Sequence, residues 1–356
     1  MFPAKNPDNS TLRGGERPLR LQLKSLQAFR GFAAVAVVYF HLYVIAPKFL
    51  GFEYNGPGAA SGNLGVSFFF TLSGFIITWV HLDDLGDRKK IVPYVVKRLM
   101  RIYPMVWIVV LVKIAVLLVV PSIDVSDKNN ASTIIASLLL LPHPHYVIDV
   151  QWTLVYEALF YGIFAGWIYL GRKAAAFSLA LWIIALITIT PPSPLYNELL
   201  ACLLSTCNLL FIGGTLIAYL LKRFHVPLYI AEFLVSFSAI FLACGILSGV
   251  RSHFFWSPVF CALIAGLVSL DRSRPIGWPK WILFMGDASY SIYLVHTSIQ
   301  MFVVLMGRKL GVPFQPYGQL LFHIVGILSV IGGLACYRWL ESPILAWTRG
   351  RHKSFD

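Results

Sequence analysis

The stretch SLQAFRGFAAVAVVYFHL, residues 25–42, is a mostly apolar run that contains one arginine, Arg30, and one histidine, His41. As an α-helix these 18 residues extend about 27 Å, close to the roughly 30 Å of a bilayer's hydrocarbon core. Comparable apolar runs recur along the chain of 356 residues, which is 58% hydrophobic and 13% charged. Soluble domains contain about 25% charged residues. The sequence therefore excludes a soluble globular protein and predicts a protein embedded in a membrane.

The apolar runs also predict the fold class. They are continuous rather than alternating, which indicates helices and excludes a transmembrane β-barrel, whose strands alternate. We predict an all-α polytopic bundle of about ten transmembrane helices. The predicted spans cover residues 26–46, 64–82, 102–120, 152–170, 175–191, 199–221, 227–248, 254–270, 283–307 and 319–345. A further apolar segment, residues 131–141, is too short to cross a bilayer and is expected to lie in the interface or to re-enter.

The distribution of basic residues predicts the orientation. The chain carries 29 Lys and Arg against 16 Asp and Glu, a net charge of +13. With the N-terminus inside, 21 basic residues fall in inside segments and 5 in outside segments. The positive-inside rule then places both termini in the cytoplasm and explains the net charge without a nucleic-acid partner. We expect a basic cytoplasmic segment at 1–25, a transmembrane domain at 26–345 and a cytoplasmic tail at 346–356.

Ionisable residues within the spans mark the expected site, because a charge inside a bilayer costs about 2.5–3.5 kcal/mol. Arg30 and His41 are 11 residues apart, which places them on one helix face about 16 Å apart along the axis. His41, Glu157 and His296 come from three different spans and are expected at one depth in the outer half of the bilayer. For each histidine, a structural role in hydrogen bonding or helix packing is the alternative.

Arg98 and Arg101 are three residues apart and share a helix face. With Arg30 they are expected to form a cationic cluster at the cytoplasmic mouth, although positive-inside placement alone also explains them. This places an anion site at the cytoplasmic mouth of the bundle and acid–base groups in its outer half. Such a layout suits a substrate with a phosphorylated head and a long reactive arm. Acyl-CoA has this form, and guanidinium groups suit its phosphates. Arg338 and Glu341 are expected to form an internal ion pair.

Six motifs of this sequence occur in the order found in the membrane-bound acyltransferase family 3, which the chain resembles from about residue 25 to 345. The first contains the family's R-X10-H pattern, met by Arg30 and His41, and the third its RXXR pattern, met by Arg98 and Arg101. Glu157 matches the acidic position of a W-[ST]-L-x-x-E motif, whereas Tyr156 stands where many members have a second acid. The motifs read SLQAFRGFAAVAVVYFHL (25–42), FFFTLSGFIIT (68–78), VKRLMRIYP (96–104), QWTLVYEALFY (151–161), GDASYSIYLVH (286–296) and RWLESP (338–343).

The resemblance implies an enzyme of the bacterial inner membrane, similar to the short exopolysaccharide O-acetyltransferases of the ExoZ type. It implies transfer of an acyl group from cytoplasmic acyl-CoA, with acetyl-CoA first among the donors. The acceptor would be a carbohydrate hydroxyl of an exopolysaccharide or another cell-surface glycan. The expected partners are membrane lipids, a lipid-linked or polymeric saccharide acceptor, and a polysaccharide biosynthesis complex.

We expect His41 to act as general base on the sugar hydroxyl or as a transient acyl acceptor. Glu157 would orient or charge-balance His41, the three arginines would hold CoA, and no metal is expected. Candidate substrate or oxyanion ligands are Ser73, Tyr156, Tyr290, Tyr293 and His296.

The rival hypothesis is a proton-coupled transporter or flippase of a glycan-related substrate. In that reading His41, Glu157 and His296 form a proton relay. Mirrored helix breaks in two halves of the chain would favour a transporter, and the sequence does not show them.

Overall fold

The computed structural model describes residues 23–49, 51, 53–54, 59–119, 130–190, 197–312 and 317–352. Of the predicted flanking segments, residues 1–22 and 353–356 lie outside this described part. Within the described residues the chain consists of helices and connecting loops, with no strand. The all-α class predicted from the continuous apolar runs is therefore confirmed.

Fourteen α-helices lie in the described part of the chain, and a π-helical turn, Tyr337–Glu341, joins the last two. They are α1 Lys24–Phe49, α2 Leu64–His81, α3 Ile91–Val119, α4 Ala131–Leu139, α5 Gln151–Leu170, α6 Arg172–Thr188, α7 Glu198–Leu203, α8 Asn208–Arg223, α9 Leu228–Leu247, α10 His253–Ser273, α11 Lys280–Asp287, α12 Ser289–Lys309, α13 Gly318–Cys336 and α14 Ser342–His352.

Eight stretches within the described residues are long and apolar enough to cross a membrane, so the chain is a multi-pass membrane protein. They are α1, α2, α3, α5, α9, α10, α12 and the stretch from α13 into α14. Two of the ten predicted spans, 175–191 and 199–221, are not among these eight stretches. The first falls on α6, which has 17 residues, and the second is broken between α7 and α8. At this break the Asn208 amide donates to the carbonyl oxygens of Cys202 and Leu203, at 2.8 and 3.0 Å, which caps α7.

The short apolar segment predicted at 131–141 forms α4 and leads into a buried turn at 146–150. Val147 and Ile148 are fully buried and belong to one apolar cluster with side chains of α1, α3 and α12. Gln151 holds the turn, because its Oε1 accepts from the Ile148 amide and its Nε2 donates to a carbonyl of α4, both at 3.0 Å. The turn after α4 is thus buried among the helices, whereas α4 itself keeps Ile135 and Leu139 exposed, so its expected placement in the interface or as a re-entrant segment stays a prediction.

Helices α2 and α8 are in backbone contact at two glycines. A Cβ at Gly214 of α8 would meet the backbone of Thr71, and a Cβ at Gly74 of α2 would meet the backbone of Phe211. Small residues at such crossings are typical of membrane bundles, in which close van der Waals packing drives helix association. The contact fixes the rotation of α2 and hence the direction in which Ser73 faces.

A buried carboxylate from α10 fixes the start of α1. Asp271 is 4% exposed and accepts from the backbone amide and the hydroxyl of Ser25, at 2.8 and 2.7 Å. An acidic group at a helix N-terminus satisfies a free backbone amide and complements the helix dipole. This contact sets the height of α1, the helix that carries both Arg30 and His41.

Candidate active site

A cavity of about 680 Å³ lies among helices α1, α2, α3, α5, α12 and α14. Its lining follows α2 from Val66 to Ile77, a distance of about 17 Å along the helix axis. Basic residues near the start of α3 line one end, together with α14, and Thr153 at the start of α5 lines the other. Seven of the ten residues predicted for the site line this cavity: Arg30, Ser73, Arg98, Arg101, Glu157, Tyr290 and Tyr293.

Four basic side chains, Arg30, Lys97, Arg98 and Arg101, line the cavity. The guanidinium of Arg98 lies over the ring of Tyr94, 5.5 Å from its centroid. Its Nε is buried and has no hydrogen-bond partner in the described part of the chain. An unsatisfied buried donor costs about 1–3 kcal/mol, and more when it is charged. Arg98 therefore offers a free donor to an anionic or polar group of a ligand.

Two of the arginines are anchored by the protein itself. Arg30 Nη2 donates to Ser289 Oγ at 2.9 Å, and Arg101 Nη1 donates to Glu341 Oε1 at 2.7 Å. The expected pair of Arg338 with Glu341 is therefore wrong, because Arg338 is exposed while Glu341 is buried against Arg101. Both residues lie in the π-helical turn, whose wider winding takes residues three apart off a common face.

Glu157 is bound inside the cavity by two hydroxyl groups. Its Oε1 accepts from Ser73 Oγ at 3.1 Å and from the Tyr161 hydroxyl at 2.5 Å. Tyr161 also lines the cavity but was not predicted as a site residue. It stands four residues after Glu157 on α5. This spacing places two side chains on one helix face, and it is the sequence signal by which Tyr161 could be found.

His41 pairs with His296 and not with Glu157. Nε2 of His296 lies 3.2 Å from Nδ1 of His41, and the two ring centroids are 4.8 Å apart. Nδ1 of His41 also lies 3.0 Å from the carbonyl oxygen of Val37, and Nδ1 of His296 lies 2.6 Å from that of Tyr293. The expectation that Glu157 orients His41 is corrected accordingly. A shared depth in the bundle does not fix the direction in which each side chain faces.

Tyr293 is in contact with both parts of the site: it lines the cavity, which neither histidine does, and it packs beside His296. The Tyr293 side chain lines the cavity, and its ring centroid lies 5.8 Å from that of His296. Its hydroxyl lies 2.7 Å from Thr153 Oγ1 and donates to the Val150 carbonyl at 3.3 Å. These contacts fix Tyr293 beside both the cavity and the histidine pair.

Two predicted oxyanion donors, Tyr156 and Tyr290, are not positioned to donate into the cavity. Tyr156 is not among the residues that line the cavity, and its ring packs edge-on against Trp152 at a centroid distance of 5.9 Å. Successive helical residues point about 100° apart, so Tyr156 faces away from the cavity that Glu157 faces. Tyr290 does line the cavity, but its hydroxyl donates to the Ile102 carbonyl at 2.8 Å.

Known proteins resemble this chain over most of its length. Residues 23–338 match a family described as an acyltransferase domain. The chain is 28% identical over 316 residues to the exopolysaccharide production protein ExoZ of Rhizobium meliloti (strain 1021), covering 84% of this chain and 94% of that protein. It is 26% identical over 372 residues to the acyltransferase MdmB of Streptomyces mycarofaciens, covering 92% of this chain and 93% of that protein. No solved structure matches the chain significantly.

Proposed function

The chain belongs to the acyltransferase domain family, and we propose that it carries an acyl group from acyl-CoA to a carbohydrate hydroxyl of a cell-surface glycan. Acetyl-CoA is the first candidate donor. Exopolysaccharide is the first candidate acceptor, because the relative ExoZ is named as an exopolysaccharide production protein. One observation carries the proposal. The cavity is basic at one end, and its lining residue Tyr293 has its ring 5.8 Å from that of His296, the partner of His41.

The donor's phosphates bind at the basic end of the cavity. Arg98 contributes its Nε, which has no hydrogen-bond partner among the described residues, while Arg30, Lys97 and Arg101 add positive charge. Guanidinium groups suit this task because they donate two parallel hydrogen bonds to phosphate oxygens. The acyl-pantetheine arm then extends along α2 toward Ser73, within the roughly 17 Å that the cavity follows this helix.

His41 supplies the base for the transfer. Its imidazole removes the proton from the sugar hydroxyl while the oxygen attacks the carbonyl carbon of the thioester. The C–O bond forms, the C–S bond breaks, and the proton passes from His41 to the sulfur, so the products are an O-acyl sugar and the free thiol of CoA. Ser73 and Tyr293 would donate to the developing oxyanion only after they release the Glu157 carboxylate and the Val150 carbonyl, to which they donate in this structure. The site has to rearrange during the cycle, because His41 does not line the cavity in this structure.

We propose in addition that the bundle has about ten crossings, with both termini in the cytoplasm, in the bacterial inner membrane. Helix α6 and the α7–α8 pair would supply the crossings beyond the eight found by length. The division of basic residues into 21 inside and 5 outside supports this orientation. The expected partners are membrane lipids, a lipid-linked or polymeric saccharide, and a polysaccharide biosynthesis complex.

Radiolabel transfer by the purified chain tests the proposal. The protein in lipid nanodiscs is incubated with labelled acetyl-CoA or succinyl-CoA and a panel of lipid-linked saccharides. We expect label on one saccharide and an equal amount of free CoA thiol. The rival transporter would turn over no acyl-CoA with any acceptor and would move a saccharide across proteoliposomes that lack acyl-CoA.

A further inference from the structure

The hydrogen bonds of the two histidines fix where each ring carries its hydrogen. A carbonyl oxygen only accepts, so Nδ1 of His296, 2.6 Å from the Tyr293 carbonyl, carries a hydrogen. Nε2 of a neutral His296 is then bare, and this atom lies 3.2 Å from Nδ1 of His41. Nδ1 of His41 carries a hydrogen for the same reason, because it faces the Val37 carbonyl oxygen at 3.0 Å. The bare nitrogen of a neutral His41 is therefore Nε2.

We propose that His296 is a positioning residue whose Nε2 accepts the Nδ1–H of His41 and thereby presents the bare Nε2 of His41 as the base for acyl transfer. In this arrangement His296 touches neither donor nor acceptor, unlike the substrate or oxyanion ligand expected from the sequence. The kinetic consequence rests on the proposed function, whereas the hydrogen-bond arrangement stands without it.

The surroundings of His296 suit a positioning role. Its side chain is 0% exposed, and the bond to the Tyr293 carbonyl would be lost if the ring turned. His41 is less buried, so it is the ring open to a substrate. An acceptor on the far nitrogen of a histidine is the recurring means of fixing its tautomer and direction.

The same contacts favour the charged imidazolium form of His41 that proton transfer creates. When His41 takes up the hydroxyl proton at Nε2, the imidazolium keeps its Nδ1–H between two acceptors, His296 Nε2 and the Val37 carbonyl. Hydrogen bonds from an ionised donor are shorter and stronger than those between neutral groups. The pair therefore stabilises His41 more after proton transfer than before it.

Nitrogen-15 NMR of the full-length chain in nanodiscs tests the arrangement without any turnover. All nine histidines are labelled, and the signals of His41 and His296 are assigned by their loss in His41→Gln and His296→Gln. We expect both neutral rings to carry hydrogen on Nδ1 and to show a bare Nε2. A neutral ring of either residue with its hydrogen on Nε2 would overturn the proposal.

Kinetics then separate positioning from packing. His296→Gln keeps an acceptor near the place of Nε2, whereas His296→Leu fills the space without one. We expect His296→Leu to lower kcat about 10–100-fold, the loss typical for partners that orient metal-bound histidines. KM for acetyl-CoA should stay constant, because His296 does not line the cavity.

His296→Gln should recover most of that rate. Equal losses in both variants, or a loss in KM alone, would mean that His296 only packs, and the proposal would fail. The NMR pattern described above without any acyl-CoA turnover would instead contradict the proposed function and leave the histidine arrangement intact.

Discussion

Arg98 shows how a single residue leaves the site open to a ligand. Aromatic rings orient its guanidinium, with Tyr94 and Tyr161 each 5.5 Å from it, but its Nε has no partner among the described residues. Arg30 and Arg101, by contrast, donate to Ser289 and to a buried carboxylate. An arginine that is held in place but not neutralised is ready to bind an anion.

Arg98→Lys keeps the charge but removes the Nε donor and the planar geometry. We expect the affinity for CoA to fall roughly 10–100-fold, the cost of losing a hydrogen bond to a charged group. Calorimetric titration with CoA measures the change. Arg223→Lys is the matched control, because Arg223 lies 4.5 Å over the Tyr219 ring and outside the cavity. Unaltered affinity in Arg98→Lys would remove Arg98 from the donor site.

Glu157 and His41 contribute separately, because the Glu157 carboxylate is occupied by Ser73 and Tyr161. Glu157→Gln keeps an acceptor oxygen for these hydroxyls, so we expect the single-turnover rate of acyl transfer to fall about tenfold or less. Rapid quenching with labelled acetyl-CoA gives this rate, and His41→Gln serves as the inactive reference. A loss as large as that of the reference would place Glu157 in the proton transfer itself.

At the scale of helices, the stability of the bundle depends on the backbone contact between α2 and α8. A methyl group at Gly214 would meet the backbone of Thr71 and Phe75, which cannot move aside as a flexible side chain can. We therefore expect Gly214→Ala to lower the thermal unfolding midpoint measured by tryptophan fluorescence.

The matched control for this change is Gly162→Ala in α5. Nothing lies within 4 Å of a Cβ at Gly162, and alanine favours a helix over glycine by about 1 kcal/mol. This variant should be as stable as the unaltered chain or slightly more so. If Gly214→Ala matched it, the two helices would not be in the contact described.

Helical periodicity was enough to predict the elements that carry the site. The 11-residue spacing of Arg30 and His41 follows from the pitch of one continuous helix, α1. Counting residues from each membrane boundary placed His41 and His296 at one depth, and the structure brings them into contact. The i, i+3 spacing likewise predicted that Arg98 and Arg101 face the same cavity.

What the sequence could not predict depends on contacts between distant elements. The break between α7 and α8 is capped by the amide of Asn208, and the π-helical turn places Glu341 against a helix from the first third of the chain. The rotation of a helix about its own axis is set by its neighbours. Only the packed bundle therefore reveals that Glu157 faces Ser73 rather than His41.

Across the whole molecule, the proposed direction of transfer depends on which helix ends lie on the same side of the membrane. Lys89 precedes α3, and His145 follows α4, on the loop that leads into α5; both are exposed. In a chain whose five native cysteines are replaced, a membrane-impermeant maleimide should label His145→Cys in intact cells. Lys89→Cys should react only after permeabilisation. Labelling of both from the same side would contradict the proposed orientation.

Arg30 of the proposed donor site and His41, the proposed base, lie on one helix, about 16 Å apart along its axis. This separation predicts that donor binding and acyl transfer respond to different substitutions. Loss of the base leaves the basic end of the cavity intact, so His41→Gln should bind CoA as the unaltered chain does.

The most direct measurement is a single turnover of labelled acetyl-CoA by His41→Gln, with a lipid-linked saccharide that the unaltered chain acylates. CoA affinity is measured by calorimetry on the same sample. We predict unchanged affinity and a transfer rate lower by about 100- to 10,000-fold, the usual contribution of general acid–base catalysis. Transfer at a rate near that of the unaltered chain would contradict the assignment of His41 as the base.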